Sequence, residues 1–277
     1  MKKFLNILIT FIIIFSLTGC GKKVEVKPKS ALEVLNNTLK NENEIHNVKL
    51  DMNFNVKMNY GGYSVDGNFN LGTTVSEENG VIKSIIELGD NPFIGKQTIY
   101  LDDKNVYYSS KLVDKIYNIE TENNDWIITD ADNDNETNKY DFKNIDIFKL
   151  FNENDFYLLN RNGEIGSYRL VVSKDLLNRI DKYFNPDSSL NFDNFNTTFN
   201  IDITIDEKNN RFTNIKSDLT DSLKNMDLDN EYKDVIQNLS FDIKIMYDNI
   251  NINIPDSIKT NAISNEEYFT KIKDLLG

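Results

Sequence analysis

The chain has 277 residues, and its 31 Lys+Arg against 44 Asp+Glu give a formal net charge of −13. That excludes the basic surface nucleic-acid binding requires. One Cys and one His exclude an internal disulfide framework, a cysteine-based zinc cluster and multi-histidine metal sites. At 39% hydrophobic and 27% charged, the composition is globular, with enough chain to bury a core.

Residues 1–20 read MKKFLNILITFIIIFSLTGC. Lys2 and Lys3 form a positive n-region and Phe4 to Leu17 a mostly apolar h-region, too short for the ~20 residues of a spanning helix. The pattern predicts a signal peptide over 1–19. Leu17-Thr18-Gly19-Cys20 closely resembles the bacterial lipobox. That resemblance implies diacylglycerol on the Cys20 thiol, cleavage after Gly19 and a lipid-anchored protein on the extracellular face of the cell membrane. The mature chain would then have 277 − 19 = 258 residues; losing two lysines leaves 29 basic against 44 acidic side chains, a net charge of −15. Residues 20–29 carry Lys22, Lys23, Lys27 and Lys29, a tether suited to anionic headgroups or a plain solubilising linker.

Ser30-Ala31-Leu32-Glu33 is a capping-box pattern, and Leu32, Leu35 and Leu39 follow at helical spacing. From Leu50 to Tyr60 apolar and polar residues alternate strictly, which predicts a strand with one apolar and one wet face. Gly61-Gly62 turns it into a hairpin continued by Tyr63, Val65, Phe69 and Leu71. Strands are expected at Val81–Leu88, Lys96–Leu101, Asn105–Ser109, Lys115–Glu120 and Trp126–Thr129, with a tight turn at Asp102–Asn105. Residues 130–141 form a polar loop. Phe142 to Leu159 reads as one or two short helices, with Ile145, Phe148 and Phe151 clustered. Tyr168, Leu170 and Val172 form a strand leading to a helix with Leu177, Ile180 and Phe184, ended near Asn185-Pro186. Phe199 to Asp206 alternates again, turns at Glu207–Asn210 and returns over Arg211–Leu219. Phe241, Ile243, Ile245 and Tyr247 make a further strand. After Ile254-Pro255-Asp256, Ser264 to Glu267 is a second capping box, opening a terminal helix with Tyr268, Ile272 and Leu275.

This order predicts an α+β fold with an antiparallel sheet and, with no Pro/Gly/Ser linker, a single domain over 30–277. The layout resembles the LolA/LppX-like lipoprotein fold. The resemblance is carried by the capped helix at Ser30–Asn43 with the strand Val48–Tyr60, the hairpin Ile99–Tyr108, Tyr168–Val172 with its helix, the pair Phe199–Leu219, and the closing Ile252–Ile258. It implies a large curved sheet, a half-barrel with helices over its concave face. It also implies non-catalytic binding of a lipid or other hydrophobic molecule.

The ligand-lining candidates are Met52, Phe54, Val56 and Met58, although such a row serves equally as ordinary core. Asp130, Asp132, Asp134, Glu136 and Asp141 have carboxylate spacing that suits calcium, but Asn135 stands where a Gly belongs and Asp141 where a bidentate Glu belongs. A solvated loop is the better reading. His46 has no evident nucleophile partner, and Trp126 is a ligand contact or core. The expectation is a monomeric, cofactor-free, non-enzymatic lipoprotein. Its rivals are a structural or interaction lipoprotein with a filled sheet and a transporter's solute-binding lipoprotein.

Overall fold

The computed structural model describes residues 30–42, 47–60, 63–78, 81–89, 95–117, 119, 125–131, 146–184, 197–224, 236–247 and 250–276. The expected signal peptide, Cys20, the tether, His46, Gly61-Gly62, residues 132–141 of the polar loop and Asn185-Pro186 lie outside them.

The fold class is α+β. Twelve strands form one sheet in the order β12-β6-β5-β4-β3-β2-β1-β11-β10-β9-β8-β7. They are β1 (Asn47–Tyr60), β2 (Tyr63–Glu78), β3 (Val81–Leu88), β4 (Gln97–Leu101), β5 (Asn105–Ser109), β6 (Trp126–Asp130), β7 (Phe156–Asn162), β8 (Ile165–Val172), β9 (Phe199–Asp206), β10 (Arg211–Asp218), β11 (Ile236–Met246) and β12 (Ile263–Ser264). Pairing is antiparallel from β2 to β6 and from β7 to β11, and parallel between β12 and β6. The helices are α1 (Ala31–Glu42), α2 (Ser110–Tyr117), α3 (Ile147–Leu150), α4 (Lys174–Phe184), α5 (Thr220–Lys224), α6 (Asp256–Asn261) and α7 (Asn265–Leu276).

The chain divides into two compact units. The first comprises the described residues of Met1–Ile45, Met52–Asn68 and Tyr140–Ile245. Its registers stack Tyr168, Ile203, Ile215 and Ile243 across β8 to β11, and all four are buried. Charged and polar residues take the alternate positions. Arg169 faces Asp202, Asp202 faces Lys216 and Lys216 faces Asp242, so opposite charges oppose each other across the strands. Arg169 grips Asp202 with two hydrogen bonds, 2.7 and 3.1 Å. Helix α1 covers the apolar side, packing on β7 and β10. Its Leu32, Leu35 and Leu39 are buried, as their spacing predicted. The capping box closes as read: Ser30 N donates to Glu33 Oε2 at 2.8 Å, and Glu33 N to Ser30 Oγ at 3.2 Å.

The second unit comprises the described residues of His46–Asp51, Phe69–Lys139 and Met246–Gly277. Here β5 and β6 are apolar on both faces. On one face Tyr107 and Trp126 pack with Ile252, Ile254 and Ile258 from the extended segment before α6 and from α6 itself. On the other, Tyr108 and Ile127 pack with Val113 of α2 and with Tyr268 and Ile272 of α7. A strand covered on both faces loses its alternation, which is why VYYS and WIIT show none. The turn Asp102–Asn105 forms as read, with Asp102 Oδ1 accepting from Lys104 N and Asn105 N at 3.1 and 2.9 Å.

Two expected elements differ. Of the strand expected over Lys115–Glu120, Lys115–Tyr117 instead end helix α2, because Val113 faces inward onto Tyr268 and Ile272 and Asp114 is buried beside it. Among the described residues of the span Phe142–Leu159, where one or two short helices were expected, Ile147–Leu150 is the helical part, and Phe156–Leu159 belongs to strand β7. Tertiary pairing with β8 overrides the local pattern there. The hairpin closes through Gly163 at φ +62, a left-handed conformation that suits glycine. Phe148 is exposed, and the buried residues are Ile147, Leu150 and Phe151.

Candidate functional site

The four lining candidates lie in the first unit. Alternation places Met52, Phe54, Val56 and Met58 on one side of β1, with Asn53, Asn55 and Lys57 on the other. Lys57 pairs with Asp66 of β2 at 2.8 Å. The four are not equally buried. Met52 is core, 6% exposed, whereas Phe54, Val56 and Met58 keep intermediate exposure. The apolar rows of β9 and β11 do not: Ile201, Ile203, Ile205, Phe241, Ile243 and Ile245 are all buried. Of the four candidates, three therefore keep accessible surface and one does not. From Phe54 to Met58 is about 13 Å of strand, long enough to run beside an acyl chain. Completing the burial of each side chain under an apolar ligand would contribute roughly 1 kcal/mol.

Two constellations escaped the sequence reading. In the first unit, Tyr168 of β8 stacks on Phe156 of β7 with centroids 5.2 Å apart and rings 8° from parallel. Its hydroxyl donates to Glu207 Oε1 at 2.6 Å, and Arg161 Nε donates to the same oxygen at 2.8 Å. Gly166 lies two residues earlier on the same side of the strand, where a Cβ would overlap both the Tyr168 ring and Glu207 Oε1. Burial, then the hydrogen bond to Glu207, pushes the Tyr168 hydroxyl well above the usual tyrosine range. It is held as a neutral donor. Lys208 and Glu164 pair beside it at 2.7 Å, so the cluster clasps the β7–β8 turn to the β9–β10 turn.

In the second unit, the buried Tyr268 hydroxyl of α7 donates to Asp114 Oδ1 of α2, and Lys111 Nζ stands 3.7 Å from Asp114 Oδ2. This joins two helices on one sheet face. Both constellations link residues far apart in sequence, 39 and 154 positions. No local motif announces them; the only hint is a tyrosine on the apolar side of a strand.

Trp126 is half-buried, its ring 5.6 Å from Tyr100, and packs against the core cluster that holds Tyr107 and Ile254. Of the five carboxylates whose spacing suits calcium, Asp130 lies exposed at the end of β6 and the other four fall outside the described residues. Among the described residues no cluster of three or more His, Cys, Asp or Glu could hold a metal ion. No described helix is long and apolar enough to cross a membrane.

No protein-family profile matches the sequence, and no curated protein matches it. Among solved structures, the chain is similar to an uncharacterized conserved protein from Thermus thermophilus. The identity is 10%, the match covers 86% of this chain and 100% of that one, and the TM-score is 0.35. It is also similar to a DUF1329 family protein from Desulfovibrio piger, at 8% identity over 83% of this chain and 97% of that one, with a TM-score of 0.24. Likeness at that level carries no argument about activity.

Proposed function

We propose that the chain is a surface lipoprotein, anchored through Cys20, that binds a lipid or other hydrophobic ligand without chemistry. The LolA/LppX-like resemblance supports this reading. The observation that carries it is the incomplete burial of Phe54, Val56 and Met58, in a unit whose rows on β9 and β11 are buried. Apolar side chains on a strand that keep accessible surface are a surface an apolar ligand can complete. Leu17-Thr18-Gly19-Cys20 supports the anchor.

A second reading, an interaction lipoprotein with a filled sheet, draws on Met52, which is core. Native mass spectrometry of the chain extracted from its own membranes separates the two. The carrier reading expects a lipid-sized mass increment removable by delipidation and restored by added lipid. Absence of an increment, with no uptake of added lipid, rejects the carrier reading. The anchor is tested separately. Cys20→Ala is expected to prevent attachment of the diacylglycerol mass and processing at Gly19; an unchanged mass would reject the lipobox assignment.

A further inference from the structure

Strand β7 ends the sheet, and among the described residues no strand pairs with its outer side. Its sequence FYLLNRN holds no Pro, Lys or carboxylate, the usual guards of an open edge. The one charge, Arg161, is turned to Glu207 of the neighbouring turn. Tyr157, Leu158 and Leu159 are 36%, 39% and 44% exposed. A strand of this kind is a template on which a second copy could extend the sheet, unless its backbone groups are withheld.

The pairing with β8 tells which groups face out. Asp155 O accepts from Val171 N at 2.7 Å, and inward and outward positions alternate from there. Asp155 and Tyr157 turn toward β8, and Phe156 and Leu158 away from it. At the other end the two-residue turn Gly163-Glu164 makes Asn162 with Ile165 an inward pair, so Arg161 faces outward. The extra residue, Leu159, lies where the register shifts between Leu158 and Asn160. The outward positions are therefore 156, 158 and 161 instead of 156, 158 and 160. An incoming strand offers its groups at every second residue and cannot meet all three. Two of the three outward N–H groups are also spent. Phe156 N donates to Asn152 O at 3.1 Å, and Arg161 N donates to Asn160 Oδ1 at 2.8 Å.

We infer that the bulge at Leu159 and the side chain of Asn160 together close the β7 edge, so that a second copy of the chain cannot continue the sheet. The bulge removes the spacing an incoming strand needs, and Asn160 takes the N–H that the shifted spacing exposes. The closure acts whether or not the chain carries a ligand or an anchor.

The test uses the full chain in density-matched detergent micelles, with its mass read by sedimentation equilibrium. The parent should keep one mass as concentration rises. Deleting Leu159 together with Asn160→Val restores the two-residue spacing and removes the side-chain cap, and this variant should approach twice the parent mass. Adding Leu158→Pro, which removes an outward N–H and no bond to β8, should return it to the parent mass. A deletion variant that keeps the parent's circular dichroism and the parent's mass at every concentration would overturn the inference. So would a parent that itself associates until Leu158→Pro is introduced. Amide exchange in the parent gives a reading that needs no variant to fold. The Arg161 amide should exchange about fivefold more slowly than that of Leu158, the worth of one hydrogen bond. Equal exchange at the two would remove the Asn160 cap and the inference with it.

Discussion

At the scale of single residues, Gly166 and Tyr168 show how one strand position depends on another. The Tyr168 ring occupies the space that any side chain at 166 would need. Gly166→Ala must push the ring or Glu207 aside, an overpacking expected to cost about 1–3 kcal/mol. A urea titration checks it: the midpoint should fall with unchanged slope. Tyr168→Phe removes one donor to Glu207, but Arg161 still holds the carboxylate. The expected loss near neutral pH is about 1 kcal/mol.

The difference between parent and Tyr168→Phe should depend on pH. The folded hydroxyl titrates above the ordinary tyrosine value of 10.0, so above pH 10 the unfolded state releases a proton that the folded state keeps. The stability from this residue is complete below pH 10 and lost as pH rises further. The advantage of the parent over Tyr168→Phe should therefore shrink in alkaline denaturation curves. A gap independent of pH between 9 and roughly 12 would contradict the raised titration of the Tyr168 hydroxyl.

At the scale of elements, legibility followed burial geometry. Where one face is buried and the other wet, as in β8 to β10, alternation was legible in the sequence. The two capping boxes were legible too, because their partners are three residues apart; Glu267 N does donate to Ser264 Oγ at 3.1 Å. Helix α2 and strand β7 were not, and for the same reason. Lys115-Ile116-Tyr117 looks β-forming, and Phe156 to Leu159 looks like a helical apolar run. The deciding contacts come from α7 and from β8, far along the chain. The lining row was half legible: alternation put Met52, Phe54, Val56 and Met58 on one side, but the different burial of Met52 depends on tertiary packing.

The junction of α2 with α7 can be tested as an element. Asp114→Ala removes the Asp114 carboxylate that the fully buried Tyr268 hydroxyl donates to, an expected cost of about 1–3 kcal/mol. Hydrogen exchange should accelerate over 265–273 first, if the pair is what docks α7. Acceleration confined to β8 and β9 instead would sink that reading.

At the scale of the whole molecule, the negative charge and the proposed anchoring divide the work between residues that pack and residues that meet a surface. Most apolar rows in the first unit are spent on core. Phe54, Val56 and Met58 are the part of β1 left to complete, and a charge placed among them should block an apolar ligand at little cost to a half-buried position. Val56→Asp is accordingly expected to reduce lipid uptake at least tenfold in a binding titration, as desolvating a carboxylate beside an acyl chain costs more than about 1.4 kcal/mol. Retained folding is checked by circular dichroism.

Whether a lipid lies along this row can be read by photolabelling. A phospholipid with a photoactivatable group on its acyl chain is bound to the full chain, irradiated and mapped by peptide mass spectrometry. A lipid seated on β1 should leave labels on 54–58 that unlabelled lipid competes away. Labels found only elsewhere, or labelling that competitor lipid leaves unchanged, would contradict that placement.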